Sequence, residues 1–462
     1  MPKTFFIETV GCQMNVLDSE LVAASLIQAG YERAESLPVA DAIFFNTCSV
    51  RQHAEDKIYS ALGRLKHVKE QRPRTIIGVL GCMAQKDREI IFRRAPHVDL
   101  VVGPGQLGQL PLLLERIAGG QGAQLEISLD RSEGRRREVE ASFAHFDPGR
   151  PLRARAVRHQ AMVRIMFGCD KFCTYCIVPS VRGPEQCRPL AEIEAEVRQL
   201  ADQGCVEVTL LGQTVNSYKI ADGGRTDRLA DLLLRLHDIE GIRRLRFVTN
   251  YPRHMTDDLL QAVRDLPKIC PYLHVPAQSG SNDVLRRMKR GYTAEEYREM
   301  LARVRQTIPG AAVTSDFIVG FCGETEADFE RTADLVRESR FKNSFIFKYS
   351  QRPGTKSADL FPDDISDEVK RRRNNELLAI QNAISEEDNR PFLGQTIEVF
   401  VEGPSKAAKK GRDTGPVTQL TARTRCDRIV VFDGSRELTG RILPVKIVQT
   451  DAFTLLGENE AG

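Results

Sequence analysis

Twice along this chain, short apolar runs of strand character alternate with amphipathic helical stretches. That alternation restricts the fold more than any other feature. Strand, helix, strand in succession means a parallel sheet with crossover helices, because each crossover must return the chain to the same sheet end. In the first hundred residues the pattern predicts strands at Lys3–Glu8, Ala42–Asn46, Arg74–Leu80 and Asp99–Val102, with helices at Asp18–Ala29, Ala54–Lys66 and Asp87–Ala95. The unbroken run Ile76-Ile77-Gly78-Val79-Leu80 suits a strand buried on both faces. The second region predicts strands at Met162–Phe167, Val206–Leu211, Leu245–Thr249, Tyr272–Val275, Val313–Val319 and Ser344–Tyr349. Helices fall between them, two with capping boxes opened by Thr293 and Thr325. Six strands with intervening helices predict an open, partial β/α barrel, two βα units short of a closed eight. A helix from about Asp367 to Asn389 follows, and from Gln395 onward only short strands remain, which predicts a small all-β barrel.

The fold class is therefore α/β. The domains expected are an N-terminal open parallel α/β sheet over 1–118, a linker over 119–158, a central partial (βα)6 barrel over 159–391 and a small C-terminal all-β barrel over 392–460. The linker is rich in Gly, Pro and Arg, with Arg135, Arg136, Arg137, Arg150, Arg153, Arg155 and Arg158, and reads as a solvated connector. The chain carries 66 Lys and Arg against 63 Asp and Glu, a net charge of +3, which excludes a polybasic protein but not a local basic surface. Lys406, Lys409, Lys410 and Arg412 form one such cluster. No secretory signal is expected, since Glu8 interrupts the first apolar run, and no stretch of about 18 apolar residues exists to span a membrane. The expected location is the cytoplasm.

The 11 cysteines are an odd number spread over a long chain, which does not read as a disulfide framework. Gly168-Cys169-x-x-x-Cys173-x-x-Cys176 directly follows the first strand of the second region. A turn of this length can wrap three soft thiolates around one corner of an iron–sulfur cubane, leaving one iron open to a small molecule that binds by an amine and a carboxylate. Zinc is the competing metal, but structural zinc asks for four ligands, usually in paired knuckles, and no fourth Cys or His lies at that spacing. A second group is dispersed: Cys12, Cys48 and Cys82 each follow a predicted strand of the first region. Parallel strands bring their C-terminal ends to one sheet edge, so these three are expected to converge on a second cluster. Gly11 and Gly81 would let the backbone approach it closely. The other five, Cys187, Cys205, Cys270, Cys322 and Cys426, share no spacing and read as ordinary core or surface residues.

Along almost its whole length the chain resembles the radical S-adenosylmethionine methylthiotransferases. The resemblance rests on Gly11-Cys12-Gln13-Met14-Asn15, Asn46-Thr47-Cys48, Gly81-Cys82, the Cys169 to Cys176 loop with Ile177-Val178-Pro179 and Arg182-Gly183, and His274 through Ser281. Met288 through Thr293, Asp316 through Glu324, and Tyr349-Ser350 with Arg352-Pro353-Gly354-Thr355 extend it. Cys48-Ser49-Val50-Arg51, with Ala54, Lys57 and Ile58, is similar to the branch acting on isopentenylated adenosine in tRNA. Other branches act on threonylcarbamoyladenosine or on a ribosomal-protein aspartate. Cys322 and Gln351 stand where the family usually has Pro, and 403–416 reads as an insertion.

The resemblance implies two 4Fe–4S clusters, one on Cys169, Cys173 and Cys176 and an auxiliary one on Cys12, Cys48 and Cys82. It also implies S-adenosylmethionine at the first, with Gly212 and Gln213 on its methionine side and Tyr175 on its adenine side, and an RNA-binding TRAM domain as the C-terminal barrel. The C2 position of adenine is an unactivated C–H, so its functionalisation needs radical chemistry from the cofactor. No catalytic side chain beyond the cluster ligands is implied. The partners implied are a tRNA anticodon stem-loop, an electron donor of flavodoxin or ferredoxin type, and a sulfur source. Lys289, Arg290, the linker arginines and the C-terminal lysines are candidate phosphate contacts. A non-catalytic iron–sulfur RNA-binding protein is the rival from another class.

Overall fold

The computed structural model describes residues 3–49, 52–127, 150–155, 157–222, 224–411, 415 and 417–459. The linker arginines 135–137 and Arg412 lie outside the described residues.

Strands β1 (Thr4–Val10), β2 (Glu32–Arg33), β3 (Ala42–Thr47), β4 (Ile76–Gly81), β5 (Leu100–Val102) and β6 (Gln124–Glu126) form one parallel sheet in the order β2-β1-β3-β4-β5-β6. All six residues of β3 are buried, as a central strand covered on both faces requires. On one face Leu17 and Leu21 of the helix Gln13–Gln28 meet Leu110, Leu113 and Leu114 of the helix Leu110–Ala118. On the other, Ile58 and Leu62 pack with Ile91. The first helix begins at Gln13, five residues before the expected start, because Cys12 in extended conformation opens it and buried Asn15 and Asp18 find partners.

Strand β6 lies within the stretch read as linker, and extends the sheet past residue 118. Two arginines from that stretch are also folded in. Arg150 is 3% exposed, donating to the Met162 carbonyl at 2.8 Å and to Glu196. Buried Arg155 caps the Arg158 and Gln160 carbonyls. A charge run read as solvated is partly structural, because Glu196 of a barrel helix and nearby main-chain carbonyls reach it.

The barrel strands are β7 (Gln160–Arg164), β10 (Glu207–Leu211), β13 (Arg244–Phe247), β14 (Tyr272–His274), β15 (Ala312–Val319) and β16 (Asn343–Lys348). They form two parallel three-stranded sheets, β13-β10-β7 and β14-β15-β16, joined by a bridge between Leu245 and Ile269. Both expected capping boxes form, at Thr293 with Glu296 and at Thr325 with Asp328. A two-stranded ribbon, β8 (Met166–Phe167) with β9 (Gln186–Cys187), and a hairpin, β11 (Lys219–Asp222) with β12 (Arg225–Arg228), are added to the barrel.

After the helix Asp367–Asn389, strands β17 (Thr396–Pro404), β18 (Val417–Arg423), β19 (Ile429–Ser435), β20 (Ile442–Thr450) and β21 (Thr454–Glu458) close a five-stranded barrel. Its β18–β19 turn sits against the N-terminal ends of the central strands. There Arg246 donates to the Thr424 carbonyl at 2.8 Å and to Asp427 at 2.7 Å, Arg244 to the Arg423 carbonyl at 2.8 Å, and Lys342 to the Asp427 carbonyl at 2.7 Å. Among the described residues no helix is long and apolar enough to cross a membrane.

Candidate iron–sulfur and cofactor site

Strands β1, β3 and β4 are neighbours and run parallel, so Cys12, Cys48 and Cys82 leave the sheet at the same edge. Their loops are held together by amides. Fully buried Asn46 donates to the Asn15 carbonyl and to the Ser19 hydroxyl, both at 2.9 Å, and accepts from the Asn15 amide at 3.0 Å. Asn15 in turn accepts from the Cys12 thiol at 3.2 Å. The glycines make room for this network. A Cβ on Gly11 would lie 2.8 Å from the Cys48 Cβ, and one on Gly81, at φ +88°, would lie 2.3 Å from the Asn46 amide oxygen. The protein's own side chains, Asn15, Asn46 and Cys48, pack against the space they leave. Cys12 is exposed, whereas Cys48 and Cys82 are buried. A hydrogen bond with Cys48 holds the Cys12 thiol down to about 6, helped by the charge of Arg182. Burial pushes the Cys82 thiol up, and Arg182 opposes it.

The second set of cysteines leaves the barrel through the β8–β9 ribbon. Gly168 adopts φ +76°, and a Cβ there would lie 1.9 Å from the Pro184 carbonyl, so only glycine lets the loop close on itself. Cys169 and Cys173 are buried and Cys176 is half-buried. Burial pushes Cys169 up to about 11 and Cys176 up to about 12, the latter aided by neighbouring Cys173. Cys176 N–H donates to the Cys173 carbonyl at 3.0 Å. Arg290 places Nη1 3.3 Å from the Cys173 sulfur and 3.4 Å from the Tyr175 hydroxyl. Its other nitrogens are fixed on Tyr292 and the Pro276 carbonyl at 2.8 and 2.9 Å. Arg290 is 7% exposed, so it is not the phosphate contact that its sequence position suggested; Lys289 beside it is exposed. Among the described residues no three His, Cys, Asp or Glu side chains gather as a single metal ion would need. A cubane spreads three thiolates over three irons and so suits a wider spacing.

The segments that carry the two cysteine sets are in contact. Ile177, next to Cys176, and Val181 pack on Cys82. Arg182, at the end of the short helix Val178–Arg182, donates to Asp18 on the first helix at 2.7 Å. Arg352 donates to the main-chain carbonyl of Ser49, next to Cys48. The sequence marked Arg182 and Arg352 only as motif residues, and nothing in the spacing pointed to Asp18.

The lumen of the barrel is a cavity of about 610 Å³, bounded by Gln13 and Val16 of the first helix, Met162, Thr209, His274 and Phe345 among others. Phe345 is 48% exposed there, edge-on to His274 at 6.2 Å between ring centroids. His274 hydrogen-bonds Thr314 at 3.0 Å and lies 3.5 Å from Asp316. Near the C-terminal ends of the strands, buried amide oxygens of Gln213, Asn250 and Gln278 have no hydrogen-bond partner. Orphaned buried acceptors call for a polar ligand, and an amino-acid-bearing nucleoside such as S-adenosylmethionine carries the donors. The expected Gly212 has a packing reason of its own, since a Cβ there would lie 2.3 Å from the Met166 side chain.

Residues 163–336 match the Radical SAM superfamily, and residues 4–103 match the Uncharacterized protein family UPF0004. The chain is 56% identical over 458 residues to the tRNA-2-methylthio-N(6)-dimethylallyladenosine synthase of Rhodopirellula baltica, covering 99% of this chain and 95% of that protein. It is 44% identical to the synthase of the same name from Moorella thermoacetica, covering 99% and 98%. Among solved structures it is similar to the radical S-adenosylmethionine methyltransferase TsrM of Kitasatospora setae with cobalamin and a 4Fe–4S cluster bound, at 13% identity and a TM-score of 0.57, covering 78% of this chain and 77% of that one. A second fold neighbour is the cobalamin-dependent S-adenosylmethionine radical enzyme OxsB, at 14% identity and a TM-score of 0.51, covering 83% and 56%.

Proposed function

Since the chain belongs to the tRNA-2-methylthio-N6-dimethylallyladenosine synthases, radical S-adenosylmethionine enzymes with an iron–sulfur cluster, we propose that it attaches methylthio at C2 of N6-isopentenyladenosine next to the anticodon, using two clusters. The observation that carries the two-cluster reading is the contact between Ile177, adjacent to Cys176, and Cys82. Two incomplete ligand sets carried on touching segments suit a reaction in which a radical made at one site must receive sulfur from the other.

Cys169, Cys173 and Cys176 would hold the cluster that binds S-adenosylmethionine, and Cys12, Cys48 and Cys82 the auxiliary one. Bound there, these groups would supply the radical and the sulfur; the remaining work belongs to the chain. Gln213 offers its unpartnered oxygen to the amino group of S-adenosylmethionine, with Gly212 keeping that turn tight. Tyr175, tied to Arg290, forms the adenine side. Arg290 and Arg182 set cations beside the two thiol groups. The lumen is of a size that takes a nucleoside, and an unpaired loop base can be splayed into it at modest cost. Half-exposed Phe345 presents an aromatic surface for that base. Exposed Lys406, Lys409 and Lys410 on the C-terminal barrel would meet phosphates. An electron donor of flavodoxin or ferredoxin type and a sulfur source complete the cycle, which is expected to run in the cytoplasm.

Nucleoside analysis of tRNA from a deletion strain tests the reaction: the 2-methylthio form should vanish while isopentenyladenosine accumulates. Unchanged 2-methylthio-isopentenyladenosine would sink the reading. Anaerobic iron and sulfide analysis tests the clusters, with about eight of each expected per chain.

A further inference from the structure

A cation beside Cys12 and Cys82 comes from the other domain. Arg182 closes the short helix that begins two residues after Cys176, and it is 2% exposed. Asp18, 0% exposed, accepts from its Nη2 at 2.7 Å. Asp18 also lies 3.5 Å from Arg164, and both guanidinium groups flank the Phe167 ring, at 5.2 and 5.3 Å from its centroid. This clamp fixes one edge of the Arg182 guanidinium. The other terminal nitrogen, Nη1, is buried with no oxygen to receive its hydrogens, and the guanidinium interacts with the Cys82 thiol. The groups around it include Cys82, on which Val181 packs, and Cys12, whose thiol feels the same charge.

A buried guanidinium with an unsatisfied edge is costly unless an anion meets it. The anion that a three-cysteine site provides is the cluster itself, because an iron–sulfur core on three thiolates is negative and becomes more so on reduction. Potentials of such clusters are set by net charge and by hydrogen bonds to the sulfurs. We propose that Arg182 is a positioning residue for the auxiliary cluster: held by Asp18, its free edge faces Cys12 and Cys82 and raises the cluster's reduction potential from across the domain boundary. The auxiliary site is therefore complete only when the radical domain is docked on it. This rests on the two-cluster reading above.

The test uses the full chain, reconstituted anaerobically, with Cys169, Cys173 and Cys176 replaced by Ala so that any iron signal comes from the auxiliary site. An electron-paramagnetic-resonance redox titration is run on this background and on the same background with R182Q or R182K. In R182Q the reduced-to-oxidised ratio at a fixed potential should fall about tenfold, which is a shift of about 59 mV to more negative potential for a one-electron couple. R182K, which keeps the charge, should recover most of that shift. A midpoint unchanged in R182Q at full iron content overturns the proposal. Should R182Q fail to hold iron, R182K decides: iron retained in R182K supports the role of charge, and equal loss in both shows a packing role and overturns it. A background chain that binds no iron at all, against the expected four, overturns the two-cluster reading and the inference with it; iron present with no shift overturns only the inference.

Discussion

Replacing Asn46 by Ala should remove the auxiliary cluster while sparing the radical site. Asn46 is fully buried and makes three hydrogen bonds, to the Asn15 carbonyl, the Ser19 hydroxyl and the Asn15 amide. At about 1 kcal/mol net for each, their loss costs about 3 kcal/mol, and more where the Asn15 carbonyl stays buried without a donor. The consequence reaches the cysteines directly: the Cys12 thiol bonds the Asn15 side chain, and Cys48 lies two residues beyond Asn46. Urea unfolding of the full chain, followed by far-ultraviolet circular dichroism, reads the stability. Iron analysis reads the sites, and iron should fall from about eight to about four per chain. Release of 5′-deoxyadenosine from S-adenosylmethionine reads the radical half, and should persist. A destabilisation below about 1 kcal/mol, or full iron content, would refute the reasoning that amides rather than metal gather these loops. Loss of deoxyadenosine release with the auxiliary iron kept would refute the assignment of the sites.

Cys48→Ala should likewise leave deoxyadenosine release largely intact and abolish methylthio transfer, measured as product nucleoside per deoxyadenosine. In the iron-free chain Cys12, exposed and held down to about 6, should be the thiol most rapidly alkylated by iodoacetamide at neutral pH, and iron loading should protect it; peptide mapping reads the site. Burial pushes Glu324 up to about 7 from 4.5, opposed by the Gly320 N–H and Arg373. An acid raised in the folded state contributes stability below its unfolded value and loses it as pH rises through the folded one. Stability should therefore fall by roughly 3 kcal/mol between about pH 4.5 and 7 on this account, and Glu324→Gln should flatten that slope in urea titrations. Replacing Lys406, Lys409 and Lys410 by Ala should weaken tRNA binding and reduce the slope of log affinity against log salt by roughly two to three, read by filter binding.

Most of the architecture was legible because its periodicities are strong. Strands β3, β4, β10, β14, β15 and β16 fall within one or two residues of expectation, since each is an apolar run bounded by polar or glycine residues. The convergence of Cys12, Cys48 and Cys82 on one sheet edge was legible for a related reason: strand ends in a parallel sheet are predictable in space. Short strands were not. Gln124–Glu126 is three residues of polar character, stabilised by pairing with β5 rather than by its own pattern. Arg150 and Arg155 read as solvated because burial of an arginine is decided by the tertiary placement of its partners, here Glu196 and the Arg158, Gln160 and Met162 carbonyls, which no local pattern shows. Arg290 was misplaced at the surface for the same reason, its partners being Cys173, Tyr292 and Pro276.

What neither motif encodes alone is the distance between the two cysteine groups, and the structure fixes it with residues next to the cysteines themselves. Ile177 follows Cys176 directly, Ser49 follows Cys48, and Asp18 lies on the helix that Cys12 opens. Each is a point of contact across the boundary, through Cys82, Arg352 and Arg182 in turn. A flexible tether alone could keep two domains near one another but could not hold reacting atoms to within an ångström, and group transfer is lost steeply by displacements of that size. Contacts placed one or a few residues from the cysteines leave little chain to absorb a shift, so any rotation of one domain on the other moves both ligand loops together. The precision of the site is therefore a property of the docked interface, and substitutions such as Asp18→Asn or Arg352→Ala should disturb transfer between the two halves more than the chemistry within either.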